Sequence, residues 1–327
     1  MKHINVALFV PDAGCPHRCS FCNQKTISGK ITPLRPEEID HAVKIALKTV
    51  SCNEGEIAFF GGSFTAIDKG YMISLLERAY GYVKQGLFKG IRISTRPDCI
   101  DDDILDILAR YGVTAIELGC QSMDDEVLLL NKRGHTESDI IKAVELIRAR
   151  SFELGLQMMT GLYGDTEEKT VKTAEKIIAL CPDTVRIYPT IVLEGTDLCE
   201  QYRQRIYAPQ TVEEAAEICK TLLLMFKEHN IRVIRLGLHS GGNVDEGFVA
   251  GPYHPAFREL CESRIMLKRL TEKLKGVPKG EIVVRVNPAD ISRMLGQKRQ
   301  NAEMLKEMGY IIKLKADKLI APLEVAL

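Results

Sequence analysis

Short apolar runs alternate along the chain with longer stretches in which apolar side chains recur at helical spacing. Ile4–Val10 reads as a strand. Pro36–Val50 follows with Ile39, Val43, Ala46, Leu47 and Val50 spaced for one helical face, and Thr32-Pro33 and Arg35-Pro36 stand where that helix begins. Glu56–Phe60 predicts a second strand, ended by Gly61-Gly62, and Tyr71–Val83 a helix. Ile91–Thr95 predicts a strand stopped by Pro97, and Asp102–Tyr111 a helix closed by Gly112. Strand Ala115–Leu118 is followed by helices Asp125–Leu130 and Ser138–Arg150, and strand Leu154–Met159 by helix Val171–Leu180. Asp165, with Glu168 three residues on, predicts the cap of that last helix. Strand Thr184–Tyr188 and the long helix Val212–His229 complete six strand–helix units.

Units at this cadence predict an α/β fold with a parallel sheet, curled into a TIM-like (β/α)6 barrel rather than laid out flat. In such barrels the chemistry sits on loops after the C-terminal ends of strands. Beyond Arg264–Lys275 the pattern changes to a helix, strand Glu281–Val286, another helix and strand Tyr310–Leu314. This divides the chain into a barrel over 1–265 and a small α+β module over 266–327.

Composition is that of an ordinary soluble enzyme, with 45% hydrophobic and 27% charged residues in 327. Met1-Lys2-His3 opens on no secretory signal, and no run approaches the ~20 apolar residues of a membrane span. The expected location is the cytoplasm, in a reducing compartment. Net charge is zero, but the sum conceals an asymmetry. From Met266 on there are 13 Lys and Arg against 7 Asp and Glu, so a basic module is joined to a mildly acidic barrel.

Three of the ten cysteines crowd into one loop, Gly14-Cys15-Pro16-His17-Arg18-Cys19-Ser20-Phe21-Cys22, directly after the first strand. At this C-x₃-C-x₂-C spacing three thiolates can wrap one metal centre. A [4Fe–4S] cluster held by three cysteines would keep one iron open for an outside ligand; a zinc knuckle or three unrelated thiols are the alternatives. Cys52, Cys99, Cys120, Cys181, Cys199, Cys219 and Cys261 are unpaired along the chain and are expected as buried small apolar residues. Gly61-Gly62 would let strand two approach a ligand closely, or would simply make a tight turn.

The cysteine loop, with Phe21 between its last two cysteines, and Gly61-Gly62-Ser63-Phe64-Thr65 resemble the radical S-adenosylmethionine (SAM) enzymes. The resemblance implies a partial barrel in which Cys15, Cys19 and Cys22 hold three irons of a [4Fe–4S] cluster and S-adenosyl-L-methionine chelates the fourth. A low-potential donor would reduce the cluster, and cleavage of the sulfonium would yield a 5′-deoxyadenosyl radical. Gln121 and Arg133, twelve residues apart, match SAM contacts of the branch shared by the Elongator catalytic subunit and oxygen-independent coproporphyrinogen oxidase. Gln157 falls where a ribose contact is expected, and Phe21 could pack on the adenine or anchor its loop. Gly61, Gly62 and Ser63 complete the implied cofactor site.

Ser94 departs from the glutamate of the porphyrin branch, which counts against a tetrapyrrole substrate. The closer resemblance is to the Elongator catalytic subunit, through Ser94-Thr95-Arg96-Pro97-Asp98, Gly161–Thr166, Arg235-Leu236-Gly237-Leu238 and Gly251–Phe257. It implies tRNA, or another RNA, as substrate. The ~60 residues after the barrel are short for that family's acetyltransferase domain, so acetyl-CoA is not expected to carry over. The tail offers Arg293, Lys298 and Arg299 around Gly296 as RNA-phosphate contacts, in an arrangement faintly resembling a KH loop whose second glycine is replaced by Arg299. The alternatives are radical chemistry on a small molecule, or a non-catalytic cluster-bearing protein that binds RNA or senses redox state.

Overall fold

A computed structural model describes residues 5–10, 15–30, 32–49, 54–238 and 243–327; Ile4, Gly14, Val50 and Cys52 lie outside these. Strands β1 (Asn5–Val10), β2 (Glu56–Gly61), β3 (Gly90–Thr95), β4 (Val113–Gln121), β5 (Glu153–Thr160) and β6 (Thr184–Pro189) fall on the six predicted runs. After β7 (Val192–Leu193) comes a strand that the sequence pattern did not predict, β8 (Arg232–Leu236). Arg232 and Arg235 interrupt its apolar run, so it lacks a strand signature; only pairing with β6 reveals it. The seven strands β1-β2-β3-β4-β5-β6-β8 form one parallel sheet, with β1 and β8 as open edges. The barrel is therefore a half-barrel.

Alternation along each strand divides the sheet's two faces. Ile57, Phe59, Ile91, Ile93, Ile116, Leu118, Leu156 and Ile187 are buried in the main core, with helices Lys69–Lys84, Glu137–Arg148 and Val212–Glu228 packed over them. The residues between them, among them Phe60, Arg92, Ser94, Glu117, Gln157 and Arg186, belong to the opposite, concave face. Every helix between β4 and β8 starts on a side-chain cap, Thr136 and Thr211 making full capping boxes. The helix after β5 is capped by Thr166, not Asp165: Thr166 accepts from the Lys169 amide, while the Asp165 carboxylate accepts from the Gly161 amide before it and from the Thr170 hydroxyl within the helix.

β7 and β9 (Phe248–Ala250) pair antiparallel as a small ribbon. Helix Phe257–Lys273 then runs through two cores. Cys261 and Ile265 join the main core, and Met266 and Leu270 join a second one with Val284, Val286, Met294, Leu305 and Tyr310. That second core lies under a three-stranded sheet in which β10 (Gly280–Val286) pairs parallel with β11 (Tyr310–Ala316) and antiparallel with β12 (Val325–Ala326). No helix among the described residues is long and apolar enough to cross a membrane.

Candidate active site

The cysteine loop after β1 is tied down by backbone and side-chain hydrogen bonds from three directions. The Ser20 amide donates to the Asn131 carbonyl (3.1 Å) and its hydroxyl to Asn131 Oδ1 (2.9 Å). The Leu198 amide donates to the Ser20 carbonyl (2.8 Å), and Asn23 Nδ2 to the Glu194 carbonyl (2.8 Å). Phe21 is partly buried against Val192, Leu198, Cys199 and Tyr207, which anchors the loop, and also borders the cavity described below. Each of the three sulfurs accepts an N–H: Cys15 from the Ser63 amide (3.3 Å), Cys22 from Gln24 Nε2 (3.4 Å), and Cys19 from Arg133 Nη1 (3.1 Å). Such donors stabilise anionic sulfur. Burial, then the neighbouring Cys19 sulfur, push the Cys22 thiol up to about 12, so only a bound cation would hold it as thiolate at neutral pH.

The strand ends supply the opposite wall. Gly61 has φ +117°, and a Cβ there would sit 2.3 Å from the Val10 carbonyl oxygen. The close approach of β1 thus demands a glycine here by itself, whether or not the turn also approaches a ligand; the Gly62 amide donates to the same carbonyl (3.1 Å). Ser63 is buried, with its hydroxyl on Thr95 Oγ1 (2.8 Å). At the end of β4 the pairing with β5 shifts register between Gly119 and Gln121, and Gln121 takes a left-handed backbone (φ 68°). This bulge re-aims the Gln121 side chain. A Cβ on Gly119 would come within 2.9 Å of Gln121 Nε2 and 3.6 Å of Arg133 Nη2.

Arg133 is 5% exposed and donates to Cys19 Sγ and the Gly119 carbonyl. Gln121 Oε1 and Arg133 Nε are among the buried polar atoms left without a partner here, with His135 Nδ1 close by. Beside them, Arg96 makes a bidentate pair with Asp98 (2.9 Å for both bonds), and its Nη1 lies 4.0 Å from Cys19 Sγ. His135 is buried, and burial, then the charges of Arg133 and Arg96, depress its imidazole to about 3. It is neutral at physiological pH, with Nε2 3.3 Å from the Cys120 carbonyl.

Below this level lies a buried charge network. Arg92 (1% exposed) donates to Glu56 (2.7 Å), Glu117 (3.3 Å) and Glu153 (2.9 Å). Glu117 also accepts from Arg186 Nη2 (2.8 Å) and from Gln157 Nε2 (3.2 Å). Gln157 is therefore held by a carboxylate that is itself fixed by two arginines. Arg186 lies over the Phe60 ring, 5.0 Å from its centroid.

Cys15, Cys19, Cys22, Phe21, Gly61, Gly62, Ser63, Gln121, Arg133 and Gln157 all line one cavity of about 740 Å³. These positions, spread from residue 15 to residue 157, are brought together by the parallel sheet. Arg96, Asn23 and Gly195 line it too and were not singled out from the sequence. Arg96 stood in a motif without a role, because its pairing with Asp98 and its reach to Cys19 depend on the fold.

A sequence profile of the Radical SAM superfamily matches residues 10–177, and one of the radical SAM C-terminal domain matches 182–267.

The chain belongs to the radical SAM superfamily.

Within it the chain is Elongator-like. It is 27% identical over 257 residues to a protein of Methanocaldococcus infernus named tRNA uridine(34) acetyltransferase, covering 65% of this chain and 48% of that one. An uncharacterized protein of Methanocaldococcus jannaschii is 32% identical over 254 residues, covering 73% and 76% respectively. The solved structure of M. infernus Elp3 with an N-terminal deletion superposes with a TM-score of 0.63 at 22% identity, over 84% of this chain and 64% of that one. The chain thus spans about half the length of the tRNA uridine acetyltransferases that it resembles. As a radical SAM enzyme it uses a [4Fe–4S] cluster and SAM.

The residues present fit those groups. Three sulfurs with N–H donors face a cavity that also holds an orphaned guanidinium N–H and an orphaned amide oxygen, matched to an anionic acceptor and an amino donor. Among the described residues no three His, Cys, Asp or Glu side chains converge on a single ion; a cube of iron and sulfur spaces its thiolates more widely than one zinc would.

Of the other cysteines, Cys120, Cys199, Cys219 and Cys261 are buried as expected and Cys99 is partly so, but Cys181 is exposed, at a left-handed position (φ 46°) just past helix Glu167–Ala179. In the tail, Arg293 is partly exposed and ion-paired with Glu262 (2.6 Å) and with Asp290, so its charge is already matched within the protein. Lys298 and Arg299 are exposed.

Proposed function

We propose that this protein is a radical SAM enzyme that modifies RNA, with tRNA as the substrate class. Cys15, Cys19 and Cys22 ligate three irons, and the unmatched Arg133 Nε and Gln121 Oε1 meet the methionine carboxylate and amino group of SAM. Gln157, oriented by Glu117, meets the ribose. When bound, cluster and SAM supply one-electron reductive cleavage of the sulfonium and hydrogen-atom abstraction from the substrate. The chain's own contribution is placement. Arg133 bridges the Cys19 sulfur and the cofactor site through one guanidinium, so cluster and SAM are held in one rigid frame. Neutral His135 and the Arg96–Asp98 pair brace that frame.

The observation that carries the reading is the pair of orphaned buried atoms at the cysteine cavity. RNA as substrate is supported by the relatives named tRNA uridine(34) acetyltransferase and by the excess positive charge from Met266 on. The test is anaerobic reconstitution with a low-potential donor and quantitation of 5′-deoxyadenosine from SAM, with and without bulk tRNA. Stimulation by tRNA, lost in Cys19→Ala together with the cluster absorbance, is expected. Cleavage indifferent to tRNA would move the substrate to small molecules, and an intact cluster with no cleavage would favour a non-catalytic protein.

A further inference from the structure

The C-terminal module carries a charge that the protein does not neutralise. Of its thirteen lysines and arginines, Arg269, Arg285, Arg293 and Lys313 reach a carboxylate. The other nine have none within 4.0 Å among the described residues. Two of the nine stand side by side on the loop Gly296–Arg299, where Gln297, Lys298 and Arg299 are all exposed.

That loop is held rigidly, and at a particular place. Asn301, 5% exposed, donates through Nδ2 to Ser263 Oγ (2.9 Å) and to the Met294 carbonyl (3.2 Å). This locks the module onto helix Phe257–Lys273 and closes the loop against its own base. Gln297 Nε2 lies 3.2 Å from His254 Nε2, and the Ala256 amide donates to His254 Nδ1 (3.0 Å). His254 follows β9, β9 pairs with β7, and the same ribbon packs on Phe21 of the cysteine loop. A continuous path of contacts thus joins the basic loop to the rim of the cofactor cavity.

We propose that Lys298 and Arg299 are a phosphate clamp for single-stranded RNA, which seats the strand on the rim so that an unpaired base enters the cavity. This rests on the reading of RNA as substrate and extends it to a surface. The occupant is chosen by charge: adjacent unpaired cations on a rigid loop suit successive phosphodiesters, and a base that reacts inside a cavity must come from an unpaired strand. Lys298 (φ 49°) and Arg299 (φ 64°) both hold left-handed backbone, so glycine at these positions removes the charges while relaxing the chain.

The experiment uses the full chain as wild type and as the double variant Lys298→Gly/Arg299→Gly. Anisotropy of a labelled tRNA anticodon stem-loop is followed from 50 to 300 mM NaCl, and thermal melting is recorded alongside. The variant is expected to melt at the same temperature or higher, and to lower the slope of log affinity against log salt by about 1.4, from two phosphates at ~0.7 each. Over that sixfold range of salt this corresponds to roughly a twelvefold smaller loss of affinity. An unchanged slope in a folded variant overturns the clamp, and leaves the RNA reading intact where tRNA still stimulates SAM cleavage by the wild type. A loop-dependent slope without that stimulation upholds the clamp and overturns the substrate reading. No binding by the wild type overturns both.

Discussion

Replacing Gln121 by methionine separates what the chain needs alone from what it needs with its cofactor. Gln121 Oε1 is buried with no donor, and an unsatisfied buried acceptor costs about 1–3 kcal/mol. Methionine has a similar length and flexibility but no acceptor of comparable strength, and it bears the same left-handed backbone at φ 68°. The cofactor-free variant should therefore be more stable than the wild type by about 1–2 kcal/mol, read as a higher urea midpoint at unchanged slope. With SAM the sign reverses, because the ligand's amino group loses its acceptor. One neutral hydrogen bond of about 0.5–1.5 kcal/mol corresponds to roughly two- to twelve-fold weaker binding. Equilibrium dialysis of labelled SAM against anaerobically reconstituted protein measures this, with iron content as the control for cluster loading. A variant that is less stable than the wild type and binds SAM equally well would show Gln121 to be a structural strut, and the reasoning from orphaned atoms would fail.

Arg92→Met should cost about 3–5 kcal/mol at pH 7, because Glu56 and Glu117 would be left buried with too little countercharge. Burial by itself would raise the Glu153 carboxyl, but Arg92 outweighs it and holds that group below the usual carboxylate range. Its contribution is full above the ordinary carboxylate value and fades as pH falls through the lowered one. The gap between wild type and variant should therefore narrow from pH 7 to pH 4 in urea unfolding; an equal gap at both values would refute the assignment. Gly61→Ala places a Cβ against the Val10 carbonyl at φ +117° and should destabilise by roughly 2–4 kcal/mol. Its melting temperature should fall whether or not cluster and SAM are loaded. Destabilisation confined to the loaded protein would return Gly61 to a ligand-facing role.

The chain's local order was legible because helices and strands are written in neighbours. The apolar alternation of β2 to β6, the helical stripe in Pro36–Thr49 and the crowding of Cys15, Cys19 and Cys22 are all properties of short stretches. The same holds for Gln121 and Arg133, which are joined by one short helix and its flanking turns. Where sequence pattern and structure differ, the deciding partner is distant or the competition is between adjacent residues. Asp165 and Thr166 both suit an N-cap, and the fold employs the aspartate elsewhere. β8 shows too little apolar signal and exists because β6 offers it an edge.

The sequence by itself determined the strand–helix alternation, the cysteine loop at the end of β1, and the residues destined for the cavity's wall. Only the tertiary structure decided what those residues are braced by. It set Arg92 among three carboxylates from β2, β4 and β5, brought Arg133 onto the Cys19 sulfur 114 residues away, and paired Arg293 with Glu262 and Asp290 while Lys298 and Arg299 stayed exposed. It also gave Gly61 a requirement of its own, the Val10 carbonyl packed where a Cβ would stand. The physical reason is the range of the interactions. Periodicity and covalent spacing act between chain neighbours, whereas a buried charge takes whichever partner the strand register sets beside it, and that register depends on the whole sheet.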